Sequence, residues 1–316
     1  MQTWFAATLG RVRHAWSRRS FLTTAAGVAM LAACGSEQPG EVAKDGSVTV
    51  KHVFGETKIP APPKRVVSAG FTEQDDLLAV GVVPVAVTDW FGGEPFGVWP
   101  WAQPKLGGAQ PAVLSLADGI QTDQIAALRP DLIVATNAGL DQETYTKLTA
   151  IAPTIAQLGQ DAFFEPWKDQ ATTVGQAVFK HDDMQALIGG VDEMFTTAGT
   201  NNSQFSGKKV MLLHGTLGPD GPQVMTPAWR TEFLTKMGFA VADGVDSADV
   251  LIWCTEGDEE QSALLADPTV ARLKATTQGR NVFTGKELAG AIAFGSTLSY
   301  PVVAETLPGR IAQVLA

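Results

Sequence analysis

Apolar and polar positions alternate over residues 48–58, the period of a short two-stranded hairpin at a sheet edge. Past the prolines of 60–63 the pattern changes. Residues 65–69 read as a buried strand, 70–72 as a turn, and 73–81 as a helix with Glu73, Asp75 and Asp76 in its first turn, where acids complement the helix dipole. Residues 84–87 read as a second strand. Residues 88–112 show no period, and loops of that length inside compact domains tend to carry function. The alternation then resumes with a helix at 122–128, a strand at 131–135, a helix at 141–150 and a strand at 153–156. Residues 165–205 give no strand signal; Val174, Val178, Leu187, Val191, Met194 and Phe195 recur at helical spacing, with a break expected near 180–183. Beyond it come strands at 209–214, 250–254 and 281–283, a short extended piece at 222–225, and helices at 229–237, 259–265 and from 299 to the end; Gly238 suits the C-cap of the first of these helices. Strands alternating with helices at this spacing imply parallel, doubly wound sheets. The predicted fold class is α/β: two doubly wound lobes, 48–165 and 207–316, joined by a long helix within 166–206.

The N-terminus has a different pattern. Arg11, Arg13, Arg18 and Arg19 precede an acid-free apolar stretch that ends in Leu31-Ala32-Ala33-Cys34. Basic residues, a short apolar run and small residues before a cysteine, in that order, are an export signal with a lipobox. Residues 1–33 are read as a signal peptide, Cys34 as the lipidation site, and the polar residues 34–47 as a flexible tether. Ser17-Arg18-Arg19-Ser20-Phe21-Leu22 is similar to the twin-arginine motif, with Thr23 where Lys is frequent, so both twin-arginine and general secretory export stay open. Several acyl chains on Cys34 would hold the protein on the outer face of the membrane.

Charge narrows the partners. The chain carries 23 basic and 33 acidic residues; removing a leader with four arginines and no acid leaves 19 against 33, a net charge of −14. A nucleic-acid partner would want a basic face, so that class is excluded. With Cys34 acylated, Cys254 stands alone, no internal disulfide can form, and its place after Val250-Leu251-Ile252-Trp253 favours a buried strand thiol.

Four stretches carry a likeness to a known family. They are Pro63-Lys64-Arg65-Val66-Val67; Asp76-Leu77-Leu78-Ala79-Val80-Gly81-Val82; the segment from Gln124 through Leu128-Arg129-Pro130-Asp131-Leu132-Ile133-Val134; and Leu298-Ser299-Tyr300-Pro301. Together they resemble the helical-backbone substrate-binding proteins of ABC importers, the group that carries ferric siderophores, haem and cobalamin. The resemblance implies two lobes facing a ligand cleft, a stiff connecting helix, a monomer, and delivery of cargo to an ABC permease. It also implies an acid on each lobe that meets permease arginines. Asp123 holds the N-lobe position, where it also complements a helix dipole. In the C-lobe the span 239–249 is too short for the corresponding helix, leaving Asp243, Asp246 or Asp249 as substitutes.

Ligands of open parallel sheets lie beyond the carboxyl ends of the strands. Residues landing there are Phe71, the aromatic loop with Trp90, Phe91, Phe96, Trp99 and Trp101, His214 at a strand end, Trp229 and Arg230 at a helix start, and, late in the chain, Phe294 and Tyr300. Aromatics in a Gly/Pro-rich loop suit a planar or greasy ligand, or they fasten the loop to its own lobe. Arg230 disfavours the dipole of a helix start, so it either holds an anionic oxygen of the ligand or pairs with a surface acid. The expected cargo is a ferric siderophore. Haem is the alternative, with His52, His181, His214 and two tyrosines as the available axial ligands of the mature chain; a lipoprotein presenting ligand to a membrane partner without transport is another. A bare-metal receptor would want clustered His and carboxylate ligands. Gly-x-Ser-x-Gly, P-loop and Rossmann strings are missing from the sequence, so neither an enzyme nor a resident cofactor is expected.

Overall fold

A computed structural model of the chain describes residues 39–316. The expected leader, the twin-arginine motif, Cys34 and the first part of the tether lie outside the described residues. The remainder of the expected tether is laid against the folded body: a Cβ on Gly40 would sit 2.3 Å from His181, Ser47 is buried, and Asp45 accepts from Ser47 N and pairs with Lys58.

The N-terminal half opens with hairpin β1 (Val48–His52) and β2 (Gly55–Ile59). It continues through β3 (Val66–Ser68), α1 (Glu73–Ala79), β4 (Ala86–Thr88), β5 (Ala112–Leu114), α2 (Thr122–Ala127), β6 (Leu132–Ala135), α3 (Gln142–Thr149) and β7 (Thr154–Ala156). The five strands β3 to β7 form a parallel sheet in the order β5-β4-β3-β6-β7. Their short, mostly apolar sequences, buried throughout in β3, β4, β6 and β7, fit a sheet covered on both faces. Val66, Val134 and Ile155 face the hairpin, where Val48, Val50 and Ile59 are buried; Val67, Ile133 and Ala135 face Leu148 of α3. β5 was not predicted, because its three residues are half exposed and its apolar signal is correspondingly weak.

The connecting span is two helices, α4 (Trp167–Ala177) and α5 (His181–Asn201), and not one. The break falls at Val178–Lys180, where Phe179 adopts a left-handed φ of 61°. Of the two, α4 is the helix shared by both cores: Trp167 and Ala171 belong to the C-terminal core, Val174 and Ala177 to the N-terminal one. α5 buries Met184, Ile188, Val191 and Phe195 in the C-terminal core.

The C-terminal half holds β8 (Lys209–Gly218), β9 (Gly221–Val224), α6 (Glu232–Lys236), β10 (Ala240–Val241), β11 (Val250–Cys254), α7 (Asp258–Ala266), α8 (Pro268–Ala271), α9 (Lys274–Thr277), β12 (Asn281–Phe283), α10 (Lys286–Ala293) and α11 (Ser299–Leu315). Its sheet runs β10-β8-β11-β12 in parallel, with β9 folded back antiparallel on the far end of β8. The expected helix at 229–237 is a 3-10 turn (Ala228–Thr231) running into the five residues of α6. α10 was missed: it is only eight residues long, three of them alanine and one glycine, and six of the eight are buried. Trp253 and Cys254 are buried strand residues, and burial pushes the Cys254 thiol up to about 12. Across α4, α5 and α6, Lys168 bridges Asp192 and Glu232 while Lys236 pairs with Asp192, at 2.9–3.0 Å.

Candidate ligand-binding cleft

The floor between the halves is built on α1. Its first-turn acids were expected to serve the helix dipole; the structure buries Glu73, Asp75 and Asp76 completely and ties them to other segments. Glu73 Oε1 accepts the backbone N–H of Asn137 at 2.8 Å. Asp75 Oδ2 accepts from Trp101 Nε1 and Ser296 Oγ, both at 2.7 Å. Asp76 accepts from Gln170 Nε2 of α4 and from Thr297 Oγ1, both at 2.9 Å. Gln170 in turn accepts from Thr72 Oγ1 at 2.8 Å, and Asn137 Nδ2 donates to that hydroxyl at 3.0 Å. Burial raises Glu73 and Asp75 to about 7 and Asp76 to about 6, with the Asp76 charge adding to the shift on Asp75. These carboxyl groups survive burial because each is hydrogen-bonded. One polar chain therefore runs from the N-terminal half, through α4, into the 295–299 turn of the C-terminal half.

Above the floor stands an aromatic wall drawn from both halves. Phe71 stacks on Phe163 at 5.7 Å and lies 5.5 Å from Phe91; Phe91 stacks on Phe294 at 5.4 Å, and Trp90 meets Phe294 edge-on at 5.0 Å. Offset and edge-on contacts at these separations are the favoured geometries of aromatic rings. Trp90 is fixed by donating Nε1–H to Gly97 O at 2.7 Å. Trp99 is 3 % exposed, stacks on Trp101 at 4.8 Å, and lies on α10 where Gly290 leaves room; a Cβ there would come within 2.5 Å of the indole. Lys286 sits over the same ring at 5.5 Å, pairs with Glu94 at 2.6 Å and donates to Gly92 O at 2.9 Å. Trp99, Glu94 and Lys286 thus form a clasp between the halves, while Phe71, Phe91 and Phe294 stay half-buried at the cleft.

Arg230 is the one buried arginine or lysine among the described residues, at 5 % exposure. Its guanidinium lies over Phe164 at 5.0 Å and Trp229 at 4.9 Å, no carboxylate pairs with it, and its Nε has no hydrogen-bond partner. Burial lowers its affinity for a proton. The expected alternative, an exposed arginine paired with a surface acid, is not what the structure holds. His214 is half-buried on β8 with its pKa lowered by burial and then by Arg230. Tyr300 is 2 % exposed in the C-terminal core, edge-on to Trp167 and Phe195.

Next to the rings that flank Arg230 there is a small cavity, about 10 Å³ inside and about 210 Å³ when the open space at its mouth is counted; its walls include Thr72, Asn137, Phe164, Glu165, Trp229 and Phe294. Residues 66–288 match the sequence family described as Periplasmic binding protein, well over half of the chain.

The chain belongs to the periplasmic binding protein family.

Among solved structures, a periplasmic solute binding protein from Mycobacterium smegmatis str. MC2 155 is 65 % identical over 86 % of this chain and 100 % of that one, with a TM-score of 0.84. The iron uptake ABC transporter substrate-binding protein PiaA of Streptococcus pneumoniae TIGR4 is 22 % identical over 85 % and 99 % of the two chains, TM-score 0.69, a likeness of fold. Bacillus subtilis (strain 168) YfiY, named a probable siderophore-binding lipoprotein, is 32 % identical over 52 % of this chain and 50 % of its own length. The chain spans about half the length of YfiY and of the Bacillus subtilis (strain 168) lipoprotein YhfQ, curated relatives it matches.

In this binding protein, sequence reading missed the segment after β7. Phe163, Phe164 and Glu165 belong to the cleft, and Phe164 is held at a left-handed φ of 57°, which bulky residues rarely adopt. Asn137 Oδ1 accepts the Phe164 N–H at 2.8 Å and fixes that conformation. The signal was present: two adjacent phenylalanines follow the carboxyl end of a strand. Glu165 is 5 % exposed, accepts Leu158 N–H on Oε2 at 2.8 Å, and leaves Oε1 without a partner; burial, then the nearby Asp169 and Glu73, raise it to about 7. On the outer surface Asp123 is exposed at the start of α2. The C-terminal half offers no matching helix: between β10 and β11 there is a single turn (Val245–Ser247), and Asp249 is already engaged with Lys209 N and Lys274.

Proposed function

We propose that this protein is an extracytoplasmic receptor that binds a ferric siderophore in the cleft and delivers it to an ABC importer. The observation that carries the reading is the cavity itself: aromatic rings from both halves surround a buried arginine that has no acid partner. Flat rings supply contact area at small entropy cost, and an unpaired guanidinium is suited to the anionic oxygens that surround a chelated ferric ion. The relatives support it, since YfiY is named for siderophore binding and PiaA for iron uptake. The protein acts as a monomer held at the membrane by acylated Cys34 and docks on its permease through Asp123. It binds and does not turn over its cargo.

Tryptophan fluorescence tests the reading, because Trp167 and Trp229 line the cavity and Trp90 packs edge-on against Phe294, which lines it too. Titration with a ferric hydroxamate, a ferric catecholate, a mixed chelate and haemin should give saturable quenching by at least one iron chelate at about 1 µM or tighter, roughly −8 kcal/mol. No quenching by any of the iron siderophores would overturn it.

A further inference from the structure

The cleft holds one buried cation and, on the residue next to one of its stacking rings, one buried acid. Arg230 leans on Phe164 and Trp229, both of which line the cavity; Glu165 follows Phe164 and lines it too. Each has a polar atom buried without a partner, Arg230 Nε and Glu165 Oε1, and the other cavity-lining residues are aromatic, small or uncharged polar, Thr72, Asn137 and Gln170 among them. The remaining charges close to the site do not tip the balance to positive. Lys286 is neutralised by Glu94 in the clasp, and Glu73 and Asp169 lie on the acidic side, near enough to raise Glu165.

We propose that this cleft sorts ferric chelates by charge, accepting complexes that are neutral or singly negative and rejecting strongly anionic ones, with Arg230 as the attracting residue and Glu165 as the excluding residue. The proposal rests on the siderophore reading above and narrows it to a class. Three hydroxamates, each giving up one proton, neutralise ferric iron. Three catecholates, each giving up two, leave a complex of charge −3. Moving the second kind of complex into this cleft would bury two or more negative charges with no cation to meet them, beside a carboxyl group that loses its proton near neutrality. A neutral hydroxamate complex faces no such cost. Its coordinated oxygens are partly negative and suit the Arg230 guanidinium, while a protonated Glu165 donates its hydrogen to an amide or hydroxamate carbonyl.

The experiment measures affinities for ferrichrome, a ferric tris-hydroxamate, and for a ferric tris-catecholate by fluorescence quenching of the wild-type protein, Glu165→Gln and Glu165→Asp, with circular dichroism as the check on folding. Wild type should prefer the hydroxamate by about 100-fold or more; Glu165→Gln should cut that ratio about tenfold by tightening the catecholate, and Glu165→Asp, which keeps the charge, should preserve it. A catecholate that binds as tightly as the hydroxamate would overturn the charge rule while leaving the siderophore reading intact. A ratio unmoved in folded Glu165→Gln would remove Glu165 from the rule. Failure of both chelates to bind would overturn the charge rule, and the siderophore reading would fall with it only if the mixed chelate were silent as well.

Discussion

The two sheets share one plan with one piece removed. Laid over each other, β10-β8-β11-β12 repeats the path β4-β3-β6-β7, and the C-terminal half has no counterpart of β5 and α2. In the N-terminal half the connection from β4 to β5 is the aromatic loop of residues 89–111, and α2 then presents Asp123; in the C-terminal half the eight residues 242–249 run directly from β10 to β11. The consequence is a division of labour. The N-terminal half supplies Trp90, Phe91 and the clasp indole of Trp99, whereas the C-terminal half supplies the buried charge of Arg230 and the single ring Phe294 that meets them. An inserted loop adds contact area cheaply, since each doubling of its length costs only about 0.6 kcal/mol of closure entropy. A buried cation needs a rigid seat, and Arg230 has one between two rings at the head of α6.

The sharpest break of this asymmetry is Arg230→Met. It keeps the bulk and removes the charge, and chelate affinity should fall about 30- to 300-fold, some 2–3 kcal/mol, in quenching titrations. Losing one loop ring through Phe91→Ala should cost distinctly less, and equal losses would show that the halves do not divide the work. Next in size is Asp123→Lys. Cellular uptake of the chelate should drop about tenfold with affinity unchanged, while reversing Asp243 or Asp246 should leave uptake as it was; equal sensitivity on both halves would mean that docking is two-sided.

The acids of the floor give a smaller, pH-dependent effect. Glu73, Asp75 and Asp76 have folded-state pKa values raised above their unfolded ones, so the folded state holds the extra protons. Their contribution is fully present below about pH 4 and is lost as pH rises through 6 to 7. His52 and His214 are lowered and act in the opposite sense as pH falls toward 6. Asp75→Asn isolates the first effect: thermal unfolding of wild type relative to the variant should gain on the order of 1–2 kcal/mol between pH 8 and pH 5. A difference that does not vary with pH would mean Asp75 does not titrate there. The smallest effect is at the clasp. Gly290→Ala puts a methyl group into the Trp99 ring, and about 1 kcal/mol of stability should be lost although alanine suits a helix better than glycine. A gain would show that the indole is free to move off α10.

Much of the fold was legible along the chain. The runs at 65–69, 131–135, 209–214 and 250–254 became β3, β6, β8 and β11 because a strand buried on both faces must be continuously apolar. β5 and β10 escaped because two or three strand residues leave no period to read, and α10 because eight residues are short of the window in which a helical period stands out. At the cleft, the rule that ligands sit beyond carboxyl ends of strands pointed to Phe71, the aromatic loop and Arg230. What separated Phe91, facing the cleft, from Trp99, clamped on Gly290, was the position of a helix the sequence had not announced.

By itself, then, the sequence determined where the central strands of both sheets lie and where aromatic and basic residues gather, because these follow from local pattern and from the end of a strand on which a loop emerges. Only the tertiary structure decided that two helix-start acids, Asp75 and Asp76, are buried cross-links between the halves and that Glu73 holds Asn137, that Arg230 lacks an acid partner, and that Phe164 and Glu165 stand beside it. The environment of a charge is set by residues distant in the chain. Ser296 reaches Asp75 across 221 positions, and no local pattern records that meeting.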